Sequence, residues 1–183
     1  MNVYETCPVF TTPHLTLRLV RREDSGGLLR VYSDPKARPF FNADNCTSDF
    51  CYQHLSEMVE CVNMWRWSYE NGYFVRWTIL HEDVPVGTVE MFRRDEGEDG
   101  RGRGVLRIDL HSRYEREKVF DELLPALLPS MHEDFGCAQV LTKGFAGSPE
   151  RLAALRRHGF VPAPGAVCRH DGTPIGDYWV HRA

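Results

Sequence analysis

Residues 105–160 read VLRIDLHSRYEREKVFDELLPALLPSMHEDFGCAQVLTKGFAGSPERLAALRRHGF, and their order decides the fold. A strand over 105–111 is followed by the turn 112–118, an amphipathic helix over 119–136 and a second strand over 138–143. A loop and a short helix ending in Arg156-Arg157-His158-Gly159-Phe160 complete the stretch. Phe120, Leu123, Leu124 and Leu127 recur at helical spacing and form the buried stripe. Pro125 and Pro129 interrupt this helix, each removing a backbone hydrogen bond. They share a face with Asp121, away from the apolar stripe, so the helix either bends with its prolines towards solvent or breaks near Pro125.

Upstream, Leu15, Leu17 and Leu19 alternate with Thr16 and Arg18, the pattern of a half-buried strand. Arg22-Glu23-Asp24 opens a helix carrying Leu28, Leu29 and Val31, which stops at Ser33-Asp34-Pro35. A longer helix from Leu55 to Trp65 and beyond ends at Asn71-Gly72. Two strands follow, Phe74 to Leu80 and Val84 to Phe92, joined at His81-Glu82-Asp83. The acidic, glycine-rich segment 93–104 matches no phosphate-loop pattern and reads as a hairpin connection. Phe160 to Arg169 and Ile175 to His181 read as a closing strand pair around the turn His170–Pro174.

The 183 residues suffice for one well-buried domain, taken as 1–183, and are too few for two. A net charge of −4 argues against general nucleic-acid binding, and no apolar run is long enough to span a membrane. The N-terminal residues show no secretory signal, which leaves a cytoplasmic location as the expectation. Six cysteines lie without CxxC pairs; Cys46, Cys51, His54 and Cys61 are close in sequence, but their spacing fits no standard zinc site, and no metal is expected.

The order of elements in 105–160, together with the N-terminal LTLRLVRREDSGGLLRVYSDP, resembles the GNAT N-acetyltransferase superfamily. Within it, the chain resembles the branch that includes ribosomal-protein N-terminal acetyltransferases. The resemblance spans about Thr12 to Phe160. It implies an α/β (α+β) fold: a mixed, mostly antiparallel sheet flanked by helices, with two strands splaying into a V-shaped cleft. It further implies acetyl-CoA as co-substrate and a primary amine, of a peptide or a small molecule, as acceptor. The monomer or homodimer state is left open.

In the family, the turn between that strand and helix carries Q/R-x-x-G-x-G/A, whose backbone amides hold the cofactor pyrophosphate. The aligned residues here are Arg113, Tyr114, Glu115, Arg116, Glu117 and Lys118, so both glycine positions bear long charged side chains. Glycine serves there because phosphate must approach the main chain closely at a helix N-terminus. Arg113, Arg116 and Lys118 offer replacement charge. Glu115 and Glu117, with Asp121 and Glu122 a turn later, favour the same helix end, which makes a self-capped helix without cofactor the alternative.

With Leu110, His111 and Ser148, these six residues form the expected cofactor contacts. For catalysis the resemblance points to a carboxylate base near the cleft. Glu90 is the first choice, with Asp109 as a further candidate and Ser148 at the position of a family asparagine. For each of them the plainer role is structural: a hydrogen-bonded strand residue for Glu90 and Asp109, a helix cap for Ser148. Among Trp65, Trp67, Tyr69, Tyr73 and Trp77, most are expected in the core and one or two at the acceptor slot. Two readings follow: an N-acetyltransferase, or a catalytically degenerate member with a binding or regulatory role.

Overall fold

The computed structural model describes residues 2–46, 48–95, 102–165, 167–169 and 171–183. The middle of the acidic segment, 96–101, lies outside the described residues. The chain begins with strands β1 (Phe10–Thr11) and β2 (Thr16–Leu19), then helix α1 (Ser25–Tyr32) and helix α2 (Leu55–Glu70). Strands β3 (Val75–His81), β4 (Val84–Asp95) and β5 (Gly102–Leu110) follow, then helix α3 (Glu117–Glu133) and strand β6 (Cys137–Lys143). Helix α4 (Pro149–Arg157) leads into β7 (Val161–Pro162), β8 (Val167–Cys168), β9 (Pro174–Ile175) and β10 (Tyr178–Arg182).

The main sheet has the order β1-β2-β3-β4-β5-β6-β10-β7, antiparallel throughout except for the parallel β5–β6 pair. The expected mixed, mostly antiparallel sheet with flanking helices is therefore observed. The β3–β4 hairpin turns through Glu82 and Asp83, both at positive φ (50° and 61°). A two-residue loop of that hand matches the twist of its strands. The expected closing strand over 160–169 is not continuous. It divides into β7, paired with β10, and β8, paired with β9 in a separate two-stranded sheet. Three prolines or glycines between Phe160 and Val167 (Pro162, Pro164, Gly165) deny it a ladder.

α3 runs unbroken through Pro125 and Pro129. Both prolines are exposed, whereas Phe120, Leu123, Leu124 and Leu127 are buried in the main core with Trp77, Val89, Leu106 and Ile108. The carbonyls of Asp121 and Pro125, deprived of an amide partner, lie on the outward face of the helix, which is the tolerated arrangement.

The feature that positions the site is the divergence of β5 from β6. Their ladder runs from Gly102↔Cys137 to Val105↔Leu141 and stops, although β5 continues to Leu110. The Thr142 hydroxyl donates to the Leu106 carbonyl at 2.8 Å, the last tie before the strands separate. Gly104 is required where the pair is closest: a Cβ there would meet Met131 Cε at 2.2 Å and Cys137 Sγ at 2.7 Å.

Candidate active site

β5 alternates its side chains across the sheet, so Arg107 and Asp109 face α1 and α2 while Leu106, Ile108 and Leu110 face α3. On the first face the cross-strand register aligns Arg76, Glu90 and Arg107 in one row and Thr78, Thr88 and Asp109 in the next. Glu90 is 2 % exposed, and both of its oxygens are engaged. Oε2 accepts from Nε of Arg76 at 3.1 Å and from its Nη2, and Oε1 accepts from Nη1 of Arg107 at 2.8 Å. Burial alone would raise the Glu90 pKa, but the fields and hydrogen bonds of the two guanidinium groups outweigh it and hold the carboxyl below its ordinary range. The same cluster raises Arg76, which stacks on Trp65 at 4.1 Å. A carboxylate clamped by two arginines is a weak proton acceptor, which favours the structural role weighed for Glu90.

Asp109 is fully buried and accepts from the Asn42 amide at 3.1 Å and the Tyr32 hydroxyl at 3.1 Å, with Arg76 at 3.6 Å. Burial raises its pKa, opposed by Arg76 and the Asn42 amide. It anchors the 37–42 segment to the sheet and does not border the cavity described below, so it too takes a structural position.

On the opposite face, the turn after β5 is built from the chain's own polar groups. His111 lies just past the strand, 3.4 Å from Asp34, whose carboxylate also accepts the Ser112 amide at 2.9 Å. Asp34 ends α1, so the Ser33-Asp34-Pro35 stop fixes the turn as well as the helix end. Arg113, Arg116 and Lys118 are exposed, and Tyr114 rests beside His81. Leu110 is buried in the core.

Glu115 points inward, 8 % exposed, and forms a bidentate pair with Arg151 at 2.7 and 2.8 Å. Arg151 also donates to the Ile108 carbonyl at 3.0 Å, on the stretch of β5 that β6 has left, and its guanidinium lies 4.9 Å from the ring centres of Phe120 and Phe145. The Ser148 hydroxyl caps α4 by accepting the Arg151 amide and donates to Glu115 at 2.8 Å. The plainer role weighed for Ser148 thus holds.

At the start of α3, the Glu117 amide donates to Glu150 at 2.9 Å, and Arg116 pairs with the same carboxylate at 2.6 Å. Glu117 and Asp121 both pair with Arg157. A carboxylate from α4 therefore already sits on the helix end that would receive a pyrophosphate. Sequence reasoning missed Glu150 and Arg151. A glutamate in a helix's first turn reads as an ordinary dipole partner, and nothing local tells that it faces a second helix.

A cavity lies between α2 and the β3–β5 face. It has a volume of about 500 Å³ and reaches the diverging strands through Val105, Arg107 and Tyr178. Trp65 and Tyr73 line it, while Trp67 is exposed outside and Trp77 belongs to the core. The Tyr178 hydroxyl donates to Asp44 at 3.1 Å and accepts from Asn42 at 3.2 Å. Burial, with the Asp44 charge adding to it, pushes its pKa up to about 12.

An acetyltransferase (GNAT) domain profile matches residues 14–161, so the chain belongs to the GNAT acetyltransferase family. Among solved structures it resembles RimL, a ribosomal L7/L12 α-N-protein acetyltransferase in complex with coenzyme A. That match has a TM-score of 0.72 at 12 % identity and covers 96 % of this chain and 98 % of the other. An acetyltransferase from Salmonella typhimurium that modifies the N-terminal serine of ribosomal protein L7/L12 matches with a TM-score of 0.67 at 15 % identity, covering 96 % and 99 %. The microcin C7 self-immunity acetyltransferase MccE, in complex with acetyl-CoA and AMP, matches at 0.69 and 12 %, covering 93 % of each chain. No curated protein matched in sequence. Among the described residues, no helix is long and apolar enough to cross a membrane, and no group of three or more metal-ligating side chains could hold an ion.

Proposed function

We propose that the protein transfers an acetyl group from acetyl-CoA to a primary amine, on a peptide N-terminus or a small molecule. The observation that carries this reading is the unpaired stretch of β5 beyond Val105, with the α3 turn on one side and the cavity on the other. The thioester arm would lie along that stretch, and the amine would approach through the cavity. The nitrogen lone pair attacks the thioester carbonyl, a C–N bond forms, the C–S bond breaks with its electron pair leaving on the CoA thiolate, and the nitrogen loses a proton. Glu90 is held by two arginines and Asp109 by the 37–42 segment; Asp44, itself paired with Lys143 at 2.7 Å, is the carboxylate proposed to receive that proton because it accepts the hydroxyl of cavity-lining Tyr178. It does so by relay: the Tyr178 oxygen takes the proton from nitrogen as the phenolic proton passes to Asp44. In this reading Arg116 and Lys118 supply charge to the pyrophosphate in place of the missing glycines, and Glu150 and Arg151 yield when the cofactor enters.

A second reading, a family member that binds a ligand but transfers nothing, is favoured by one specific arrangement. Glu150 on the Glu117 amide and Arg151 on the Ile108 carbonyl already satisfy the groups a cofactor would use. Thermal unfolding with excess acetyl-CoA separates the two. Ligand at a hundred times its dissociation constant adds about 2.7 kcal/mol, and the midpoint should rise by about 5–10 °C for a domain of this size. Release of free CoA thiol on addition of an amine panel then supports transfer. No shift at millimolar acetyl-CoA would leave the second reading in place.

A further inference from the structure

We infer that the cavity between α2 and the β3–β5 face binds a small monocarboxylate carried on an aromatic or apolar body. Its role as the acceptor pocket rests on the proposed acetyl transfer; its role as a binding site does not. Arg107 borders this space and is only 7 % exposed. Its Nη1 donates to Glu90 at 2.8 Å and its Nη2 to the Asp44 carbonyl at 2.6 Å, but its Nε is buried and has no hydrogen-bond partner among the described residues. A buried guanidinium N–H without an acceptor is costly to keep, and it is answered most strongly by an anionic oxygen.

The charge around the space agrees. Among the described lining residues, four arginines (Arg76, Arg93, Arg94 and Arg107) stand with a single carboxylate, Glu90, whose two oxygens are already taken by Arg76 and Arg107. Asp109, which also faces Arg76, lies outside the lining. The walls are aromatic: Phe50, Tyr52, Trp65 and Phe74 on one side, Phe92 beneath Arg107 at 5.3 Å. Phe50 holds a φ of 57°, a left-handed conformation rare for a bulky residue, which is the kind of local strain that collects at binding sites.

Nε is the one Arg107 nitrogen without an acceptor among the described residues, and a carboxylate oxygen answers it. A volume of about 500 Å³ accommodates a ring of phenyl size together with such a group. An amine on the same ligand, directed towards Val105 and Tyr178, would stand at the diverging strands, which makes an aromatic amino acid the acceptor that fits best.

The test uses the unmodified protein without cofactor. Calorimetric titration compares 3-phenylpropanoate with 3-phenylpropanamide, which has the same shape and no charge. Saturable binding of the acid at least ten-fold tighter than of the amide is expected, and the Arg107 Nε–H resonance should move with the acid alone. Equal affinities, or no binding of either at millimolar concentration, would overturn the inference. Arg107→Lys should lose the acid preference, but the comparison on the wild-type chain decides even if that variant folds poorly. If the acid binds and L-phenylalanine with acetyl-CoA yields no N-acetyl product, the pocket stands and an aromatic amino acid is not its acceptor.

Discussion

Replacing Arg151 by Met tests whether the groove between β5 and β6 is locked from within. The guanidinium is buried, makes two bonds to Glu115 and one to the Ile108 carbonyl, and lies between two phenyl rings. Met fills similar volume but leaves the Glu115 carboxylate with the Ser148 hydroxyl as its remaining partner. Removing one member of a buried pair costs about 3–5 kcal/mol, chiefly because the other charge stays buried. Glu115→Gln keeps a carbonyl oxygen facing Arg151 and should cost less, about 2–3 kcal/mol. The double variant should cost less than the sum by about 2 kcal/mol, because neither charge is then stranded. With a urea m-value of about 2 kcal/mol per molar, Arg151→Met should lower the midpoint by about 1.5–2.5 M. Single substitutions costing under about 1 kcal/mol, with additive effects in the double variant, would show a solvated pair of the exposed kind and refute the lock.

Three further predictions follow from particular contacts. Glu150→Ala frees the Glu117 amide, so it should cost about 1 kcal/mol of stability as a lost cap and tighten acetyl-CoA binding in calorimetry; unchanged or weaker binding would show that Glu150 does not compete with the cofactor. His181 is held below its ordinary pKa by burial, with His132 and His158 adding to the effect. The unfolded chain then binds the extra proton first, and this contribution to stability is complete above about pH 6.5 and falls as the pH drops below it. Urea midpoints at pH 8 and pH 5.5 should differ less in His181→Gln than in the wild type, and equal differences would count against the assignment. Gly104→Ala drives a Cβ into Met131 and Cys137, so a loss of about 1–3 kcal/mol is expected by overpacking; a neutral result would mean the β5–β6 pair is looser than described.

The elements could be read from the chain because each carried its own period: Leu15, Leu17 and Leu19 for β2, and Phe120, Leu123, Leu124 and Leu127 for α3. The prolines of α3 left bend and break undecided, since the answer depends on which face meets the core, a tertiary fact. The candidate site divided differently. Its location, between the strand 105–111 and the turn 112–118, was legible from element order. The partners of Glu90, Asp109 and Glu115 were not, because they come from residues up to 77 positions away, as with the Tyr32 hydroxyl on Asp109. In sequence a strand glutamate such as Glu90 looks the same whether it faces one arginine, two or none. Only the register that aligns Arg76, Glu90 and Arg107 settles that question.

Two buried charge clusters thus flank one strand, and their contrast bears on what the protein does. Replacing a buried ion pair by apolar side chains is often neutral or stabilising, so stability alone gives no reason to keep either cluster. The Glu115–Arg151 cluster is closed: Glu115 has both oxygens bonded, and Arg151 spans to the free edge of β5. The Arg76–Glu90–Arg107 cluster is open, ending on an unanswered Arg107 N–H beside a cavity. A closed cluster specifies a shape, and an open one specifies a ligand. On the proposed reading, the cavity binds its small molecule in the chain as it stands, whereas acetyl-CoA entering the β5–β6 groove must first break the Glu115–Arg151 pair. Acceptor affinity should then be unaffected by Arg151→Met while acetyl-CoA affinity rises, and a variant in which both change together would mean that the two clusters act as one.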